Sequence, residues 1–395
     1  MGRTLDSAYF SWTDRLKRRK EEGLYRRLRS FRSGVLDFCS NDYLGLARDV
    51  SFEQEIRDKH AALLPLSLGK RNGGTGSRLI SGDDDYLHEV ESKLACFFGK
   101  ESALLFPSGY VANLSLFSSL PGLHDLVLYD AQIHTSVKDG ARMGHARRRS
   151  FKHLDIGDLE KKLETLNPSH SFGCYVGIEA IYSMTGEFCP FPSKWLSVCE
   201  RYGACLIVDE AHSSGWVEGG RGLFHDQNVP IVLHTFGKAW GVQGACILGS
   251  KELKEYLINF ARPLIYSTAL TPYQVLCIEL ALSRGVQNGS LIRALEKNIR
   301  FFQTEAARYP HLKWIAQNSP IQMLSIDSVS LCHQIAAALY EKGFAVQAIF
   351  SPTVPVGQEG LRISLHAFNK KEDIARLLFE IEKMITRAWQ RNMSE

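Results

Sequence analysis

Five short apolar runs in this sequence each finish on a group capable of chemistry. Ala103–Phe106 leads into Ser108-Gly109 and a helical pattern, Leu126–Tyr129 into Asp130 and His134, and Tyr175–Ile178 into Glu179 and Ser183. Cys205–Val208 leads into Asp209 and His212, and Ile231–Phe236 into Gly237-Lys238. Ligands of open α/β sheets bind outside the carboxyl ends of the strands, so five such ends in succession point to a single site. Taken singly, each group has a plainer reading. Ser108-Gly109 could be a helix cap as well as a phosphate cradle. Asp209 could be a cap or half of a salt bridge, and Lys238 a lysine in a surface turn. Taken together they are a phosphate cradle, an acid able to keep a ring nitrogen protonated, an imidazole able to stack, and an amine able to form a Schiff base. That set describes a pyridoxal 5'-phosphate (PLP) site.

Other chemistries fit less well. Gly73-Gly-Thr-Gly-Ser-Arg-Leu79 has Leu where a dinucleotide fingerprint needs Gly, and Gly69-Lys70 is followed by Arg71 and has Leu64 where a P-loop needs Gly. Asp209-Glu-Ala-His212 is a tight carboxylate and histidine grouping but lacks a further ligand at suitable spacing, so no metal is expected. Ser108 sits in Phe-Pro-Ser-Gly-Tyr, not in the G-x-S-x-G of a serine hydrolase.

The elements that must position these groups follow from the pattern of the chain. Apolar runs alternate with helical periodicity from about residue 85 to 250, which predicts an α/β domain with a largely parallel sheet. A second α/β pattern follows: Met323–Ile326, a helix through Tyr340, Ala345–Ile349, Leu361–Leu365, and a helix from Glu372 to about Trp389. The expected division is an N-terminal segment 1–45, a large domain 46–285 and a small C-terminal domain 286–395.

Composition agrees with a folded chain. Of 395 residues 45% are hydrophobic and 23% charged, with a net charge of +4, which excludes a disordered or collagen-like chain. The stretch from Ser102 to Leu123 carries no charge, but Pro107, Gly109 and Pro121-Gly122 interrupt it, so it reads as strand, loop and buried helix, not as a membrane span. Nine scattered cysteines without a C-x-x-C pair suggest free thiols in a reducing cytoplasm. The basic clusters Arg15–Lys20 and Arg147-Arg148-Arg149 lack interleaved aromatics and read as solvated faces, with no nucleic-acid partner.

The sequence resembles the α-oxoamine synthases, fold-type I PLP-dependent transferases that condense an amino acid with an acyl thioester and release carbon dioxide. The resemblance rests on Ser40-Asn-Asp-Tyr-Leu-Gly-Leu46, Gly76-Ser-Arg-Leu-Ile-Ser-Gly82, Val208-Asp-Glu-Ala-His212, Thr235-Phe-Gly-Lys238, Pro352-Thr-Val-Pro355 and Leu361-Arg-Ile363. It implies an aspartate aminotransferase-like architecture, with a mostly parallel seven-stranded sheet in the large domain, a small C-terminal α/β domain, and a homodimer with its site at the interface. It implies that Lys238 carries PLP as a Schiff base and acts as base, that Asp209 pairs with the pyridine nitrogen, and that His134 stacks on the ring. His212 and Ser183 would lie near the phenolic oxygen. Ser108, Gly109, Tyr110 and Thr235 would surround the phosphate or ring edge, Ser267 and Thr268 would reach the partner subunit's phosphate, and Asn41 and Arg362 would hold the substrate carboxylate.

Thr235–Val242 and Phe260–Thr268 look most like the biotin-pathway branch, whose substrates are L-alanine and a pimeloyl thioester of CoA or of a carrier protein. Branches using another amino acid or acyl group, such as glycine C-acetyltransferase, 5-aminolevulinate synthase or a sphingoid-base synthase, are the alternatives, and a catalytically inactive regulator or scaffold is the alternative of another class. The chain departs from the family at Ile133, where an Asn is usual.

Overall fold

All five apolar runs are strands of one sheet. The computed structural model describes residues 4–62, 69–70, 72–165, 172–287, 289–315, 318–326, 328–351 and 353–394, and Leu64, Arg71 and Pro352 lie outside them. The strands are β1 (Ser102–Phe106), β2 (Leu126–Asp130), β3 (Arg147–Phe151), β4 (Cys174–Glu179), β5 (Cys205–Asp209), β6 (Ile231–Thr235) and β7 (Ala245–Gly249). They form a seven-stranded sheet in the order β1-β7-β6-β5-β4-β2-β3. Strand β7 runs antiparallel to both neighbours, and β2 to β6 are parallel. From β2 the chain steps outward to β3, then returns to lay β4 on the other side of β2. That reversal opens a crevice at the carboxyl ends of β2 and β4, where an open α/β sheet binds its ligand.

The near-continuous apolar runs suit strands covered on both faces. Helices α1 (Gly109–Ser119) and α2 (Thr135–Met143) follow β1 and β2. Phe106, Leu116, Phe117, Val127, Val137 and Leu233 are among the residues of the core they share with the sheet. Ile133 is buried in the same core, and a Cβ on Gly177 would meet it at 3.4 Å, so its departure from the family pattern is a packing feature. Strand β3 is different. Arg147, Arg148, Arg149 and Ser150 are all exposed. The sequence shows only a basic cluster there, because no apolar alternation marks a strand that pairs on one side alone; charge on such an edge discourages pairing with another chain.

The described residues fall into two units, one of residues 41–297 with 366–368, the other of residues up to Ser40 with 298–365 and 369 onward. This division differs from boundaries at 45 and 285. Leu36–Asp37 pairs in parallel with Phe344–Ala345, which brings the N-terminal segment into the smaller unit. The division falls between Lys297 and Asn298, inside the helix Gly289–Ala306, while residue 285 lies in the preceding helix Pro272–Gln287. His366–Phe368 joins the larger unit: Ala367 donates its N–H to Tyr43 O at 2.8 Å, and the Arg48 guanidinium lies 3.8 Å from the centre of the Phe368 ring. In the smaller unit β8 (Trp314–Ile315), β9 (Ile321–Ser325), β10 (Gln347–Ile349) and β11 (Gly360–Ser364) form an antiparallel sheet in the order β10-β11-β9-β8. The nine cysteines are unbridged. Among the described residues no helix is long and apolar enough to cross a membrane.

Candidate active site

The residues expected to cradle a phosphate stand where β1 and β6 end level with each other across β7, since Phe106 and Thr235 both pair with Ala245 of that strand. Ser108 caps α1, its Oγ accepting the Val111 N–H at 3.3 Å. At Gly109 a Cβ would meet the Thr235 side chain at 3.5 Å, an ordinary packing contact that places the start of α1 against the end of β6. Ser108, Gly109, Thr235, Gly237 and Lys238 line a cavity of about 320 Å³. Thr235 Oγ1 accepts the Gly237 N–H at 3.2 Å and shapes the turn that presents Lys238. Behind the lysine, Trp240 is fully buried and donates from Nε1 to Ser214 Oγ at 2.7 Å.

Asp209 is buried at the end of β5. Its Oδ2 accepts from Asn113 Nδ2 at 2.7 Å and its Oδ1 from the Ala211 N–H at 2.9 Å. Asn113 also donates to Ser136 Oγ at 3.0 Å, which lies 2.7 Å from His134 Nδ1. Burial pushes the His134 pKa down; the Asp209 charge opposes that shift and the Lys238 charge adds to it. Across the crevice Glu179 holds both loops: its two oxygens accept the N–H of His134 at 2.7 Å and the N–H of Ser183 at 3.1 Å. Burial, with the Asp209 charge adding, drives the Glu179 carboxyl up to about 8.

His212 and Asn41 are joined through Tyr43, whose hydroxyl lies 2.6 Å from His212 Nδ1 and 3.2 Å from Asn41 Oδ1. Tyr110 is partly exposed on the first turn of α1 and donates to Asp139 Oδ2 at 2.8 Å. Ser267 and Thr268 do not line the cavity. They precede Ala269, whose N–H is donated to Gly76 O at 2.9 Å, so they stand beside the glycine-rich loop. Arg362 is on β11 of the smaller unit, buried, with Nη1 donating to Ser364 Oγ at 2.9 Å. No metal-binding group of histidine, cysteine, aspartate or glutamate side chains occurs among the described residues.

Asn113, Ser136 and Tyr43 were not singled out by their spacing, and Glu179 was visible only as a strand end. A signal for Asn113 exists: it is the buried amide on an α1 face that otherwise carries Ala112, Leu116 and Phe117. Ser136 and Tyr43 have no such mark, because their partners are distant in sequence or revealed only by the turn.

Residues 33–381 match the family Aminotransferase class I and II. The chain belongs to that family. An 8-amino-7-oxononanoate synthase of Cellvibrio japonicus is 36% identical over 352 residues, 87% of this chain and 85% of that one. The solved 8-amino-7-oxononanoate synthase of Francisella tularensis superposes with a TM-score of 0.75 at 28% identity, covering 91% of this chain and 100% of that one. A serine palmitoyltransferase of Sphingomonas wittichii gives 0.80 at 28% identity, covering 89% and 87%. Within the class I and II aminotransferase family this chain is therefore an α-oxoamine synthase of fold type I, a PLP-dependent acyltransferase. The residues present fit that cofactor: a buried acid and an imidazole stand at the strand ends, and the Ser108-Gly109 start of α1 lines the same cavity as Lys238.

Proposed function

We propose that the chain condenses L-alanine with a pimeloyl thioester, on CoA or a carrier protein, giving 8-amino-7-oxononanoate, carbon dioxide and free thiol for biotin synthesis in the cytoplasm. What carries this reading is the run of 8-amino-7-oxononanoate synthases at 33–36% identity over nearly the whole chain. The higher TM-score of the Sphingomonas wittichii serine palmitoyltransferase, 0.80 against 0.75, favours one second reading, a serine and long-chain acyl specificity in the same frame.

Bound PLP supplies the electron sink for negative charge at the amino-acid Cα. Lys238 Nζ would hold the cofactor covalently, and its amine would take the Cα proton and later return it. Asp209 would pair with the ring nitrogen. His134, whose main chain Glu179 fixes, would stack on the ring. His212 and Ser183 would border the phenolic oxygen, while Ser108, Gly109, Tyr110 and Thr235 would hold the phosphate and ring edge. Asn41 and Arg362 take the substrate carboxylate, Arg362 as a bidentate partner that orients the Cα–H bond. The working unit is a homodimer, with Ser267 and Thr268 turned toward the partner's phosphate.

Thiol release with L-alanine and pimeloyl-CoA, set against serine with palmitoyl-CoA and glycine with acetyl-CoA, tests the reading. Alanine and pimeloyl-CoA should turn over fastest, and Lys238→Ala should abolish both turnover and borohydride fixation of PLP. A holoenzyme that releases thiol only from another pair overturns the substrate assignment.

A further inference from the structure

Asn113, Ser136, His134 and Asp209 form a buried chain of hydrogen bonds with a fixed direction. Asn113 Nδ2 lies 2.7 Å from Asp209 Oδ2 and 3.0 Å from Ser136 Oγ, and Ser136 Oγ lies 2.7 Å from His134 Nδ1. The amide orientation follows from Asp209. Turned over, Asn113 would set its carbonyl oxygen against a carboxylate oxygen, acceptor against acceptor. In the orientation present its Oδ1 is buried with no hydrogen-bond partner among the described residues, a cost offset by the use of both amide protons.

The other end is biased by the main chain. The Ser136 N–H is directed at His134 Nδ1 at 3.3 Å, and an N–H can only donate, which favours an unprotonated Nδ1. The Ser136 hydroxyl adds the shorter contact of 2.7 Å: its oxygen accepts from Asn113 and its proton is free to go to Nδ1. A neutral imidazole in this setting holds its proton on Nε2.

We propose that Asn113 and Ser136 are positioning residues that lock His134 as the neutral Nε2–H tautomer, Asn113 at the same time donating to Asp209. The inference rests on the reading that His134 and Asp209 flank the cofactor ring. The charged groups facing His134 agree with it: burial and Lys238 favour the neutral ring, Asp209 and Asp139 oppose, and Lys138 adds to the former. The consequence is a division of labour. Asp209 keeps its full charge for the ring nitrogen, because the imidazole beside it does not become a competing cation.

Selective ¹⁵N-histidine labelling of the holoenzyme tests this, with His134→Gln identifying the His134 signals. At neutral pH the wild type should show Nδ1 in the unprotonated, pyridine-type region and Nε2 in the pyrrole-type region. Asn113→Asp, which replaces the amide donor by an acceptor and so turns the Ser136 hydroxyl away from Nδ1, should move Nδ1 toward the protonated region, and Ser136→Ala, which leaves Nδ1 only the longer main-chain contact of 3.3 Å, should give a mixture of tautomers. A wild-type His134 found as the Nδ1–H tautomer or as imidazolium overturns the proposal, as does an unchanged signal in both variants. Borohydride fixation of PLP on the same samples reports the cofactor reading separately: a protein that takes no cofactor loses that reading, while the tautomer measurement still decides the relay.

Discussion

Glu179 and Asp209 are direct register partners on neighbouring parallel strands, so two buried carboxyls share one sheet edge. Burial disfavours ionisation of Glu179, and the neighbouring Asp209 charge adds to it. Asp209 is supplied with a side-chain amide and a main-chain N–H, Glu179 with two main-chain N–H groups. The edge thus holds one carboxylate for the ring nitrogen and a second acid that organises the loops.

Glu179 makes stability fall as pH rises. Glu179 goes from an ordinary 4.5 to about 8, so the folded state binds the extra proton, and its contribution is complete below 4.5 and lost as pH rises through about 8. Buried Glu210, pushed up to about 7, acts in the same direction. Thermal melts of cofactor-free protein should show the melting temperature declining across this window, and Glu179→Gln should flatten the decline. An unchanged slope in that variant removes Glu179 as its cause.

Asp209→Asn keeps the shape of the site but removes the charge opposite the ring nitrogen. Turnover should fall by about 10²–10³-fold, the range for losing one preorganised electrostatic partner. PLP should still be fixed by borohydride, because Lys238 is untouched. Steady-state kinetics beside the fixation assay separates a lost charge from a lost cofactor.

His153 bridges two acids, with Nδ1 2.8 Å from buried Asp130 Oδ1 and Nε2 3.2 Å from Glu187 Oε2. Burial opposes its charge, yet the hydrogen bonds to Asp130 and Glu187 outweigh burial and hold its pKa at about 9. His153→Ala leaves Asp130 with the main-chain N–H groups of Gln132 and Leu154, and should cost about 3 kcal/mol in urea unfolding. The stabilisation is fully present below pH 6.5 and is lost as pH rises through about 9. The difference between wild type and variant should therefore shrink on the alkaline side.

Gly285→Ala tests the wall behind Lys238. A Cβ there would stand 2.0 Å from the buried Trp240 ring, which anchors the turn two residues beyond the lysine. Overpacking should destabilise the fold by roughly 1–3 kcal/mol. It should also lower PLP affinity, measured by cofactor titration; a shift in stability with unaltered affinity would mean that the turn absorbs the clash.

Much of this was legible in the residues. Asp209, Glu179 and Thr235 end apolar runs, and strand ends of that kind face a common edge wherever the sheet is parallel. Arg147–Phe151 was not legible as a strand, because an edge strand buries little and its arginines break the apolar pattern. The smaller unit's share of the N-terminus was hidden for a related reason: Leu36–Asp37 is a two-residue strand whose partner lies some three hundred positions away in the chain, at Phe344–Ala345.

By itself the sequence determined which chemical groups the protein has, the α/β class of its scaffold and the order in which Ser108, His134, Asp209 and Lys238 are presented. Those properties are local, set by side-chain type and by the period of the apolar pattern. Only the tertiary structure decided which of those groups are neighbours: that Asn113 joins Asp209 to Ser136 and His134, that Glu179 spans two loops, and that Tyr43 meets His212. A hydrogen bond needs its atoms within about 3 Å. Strand order and helix packing bring distant residues that close, and no spacing along the chain encodes it.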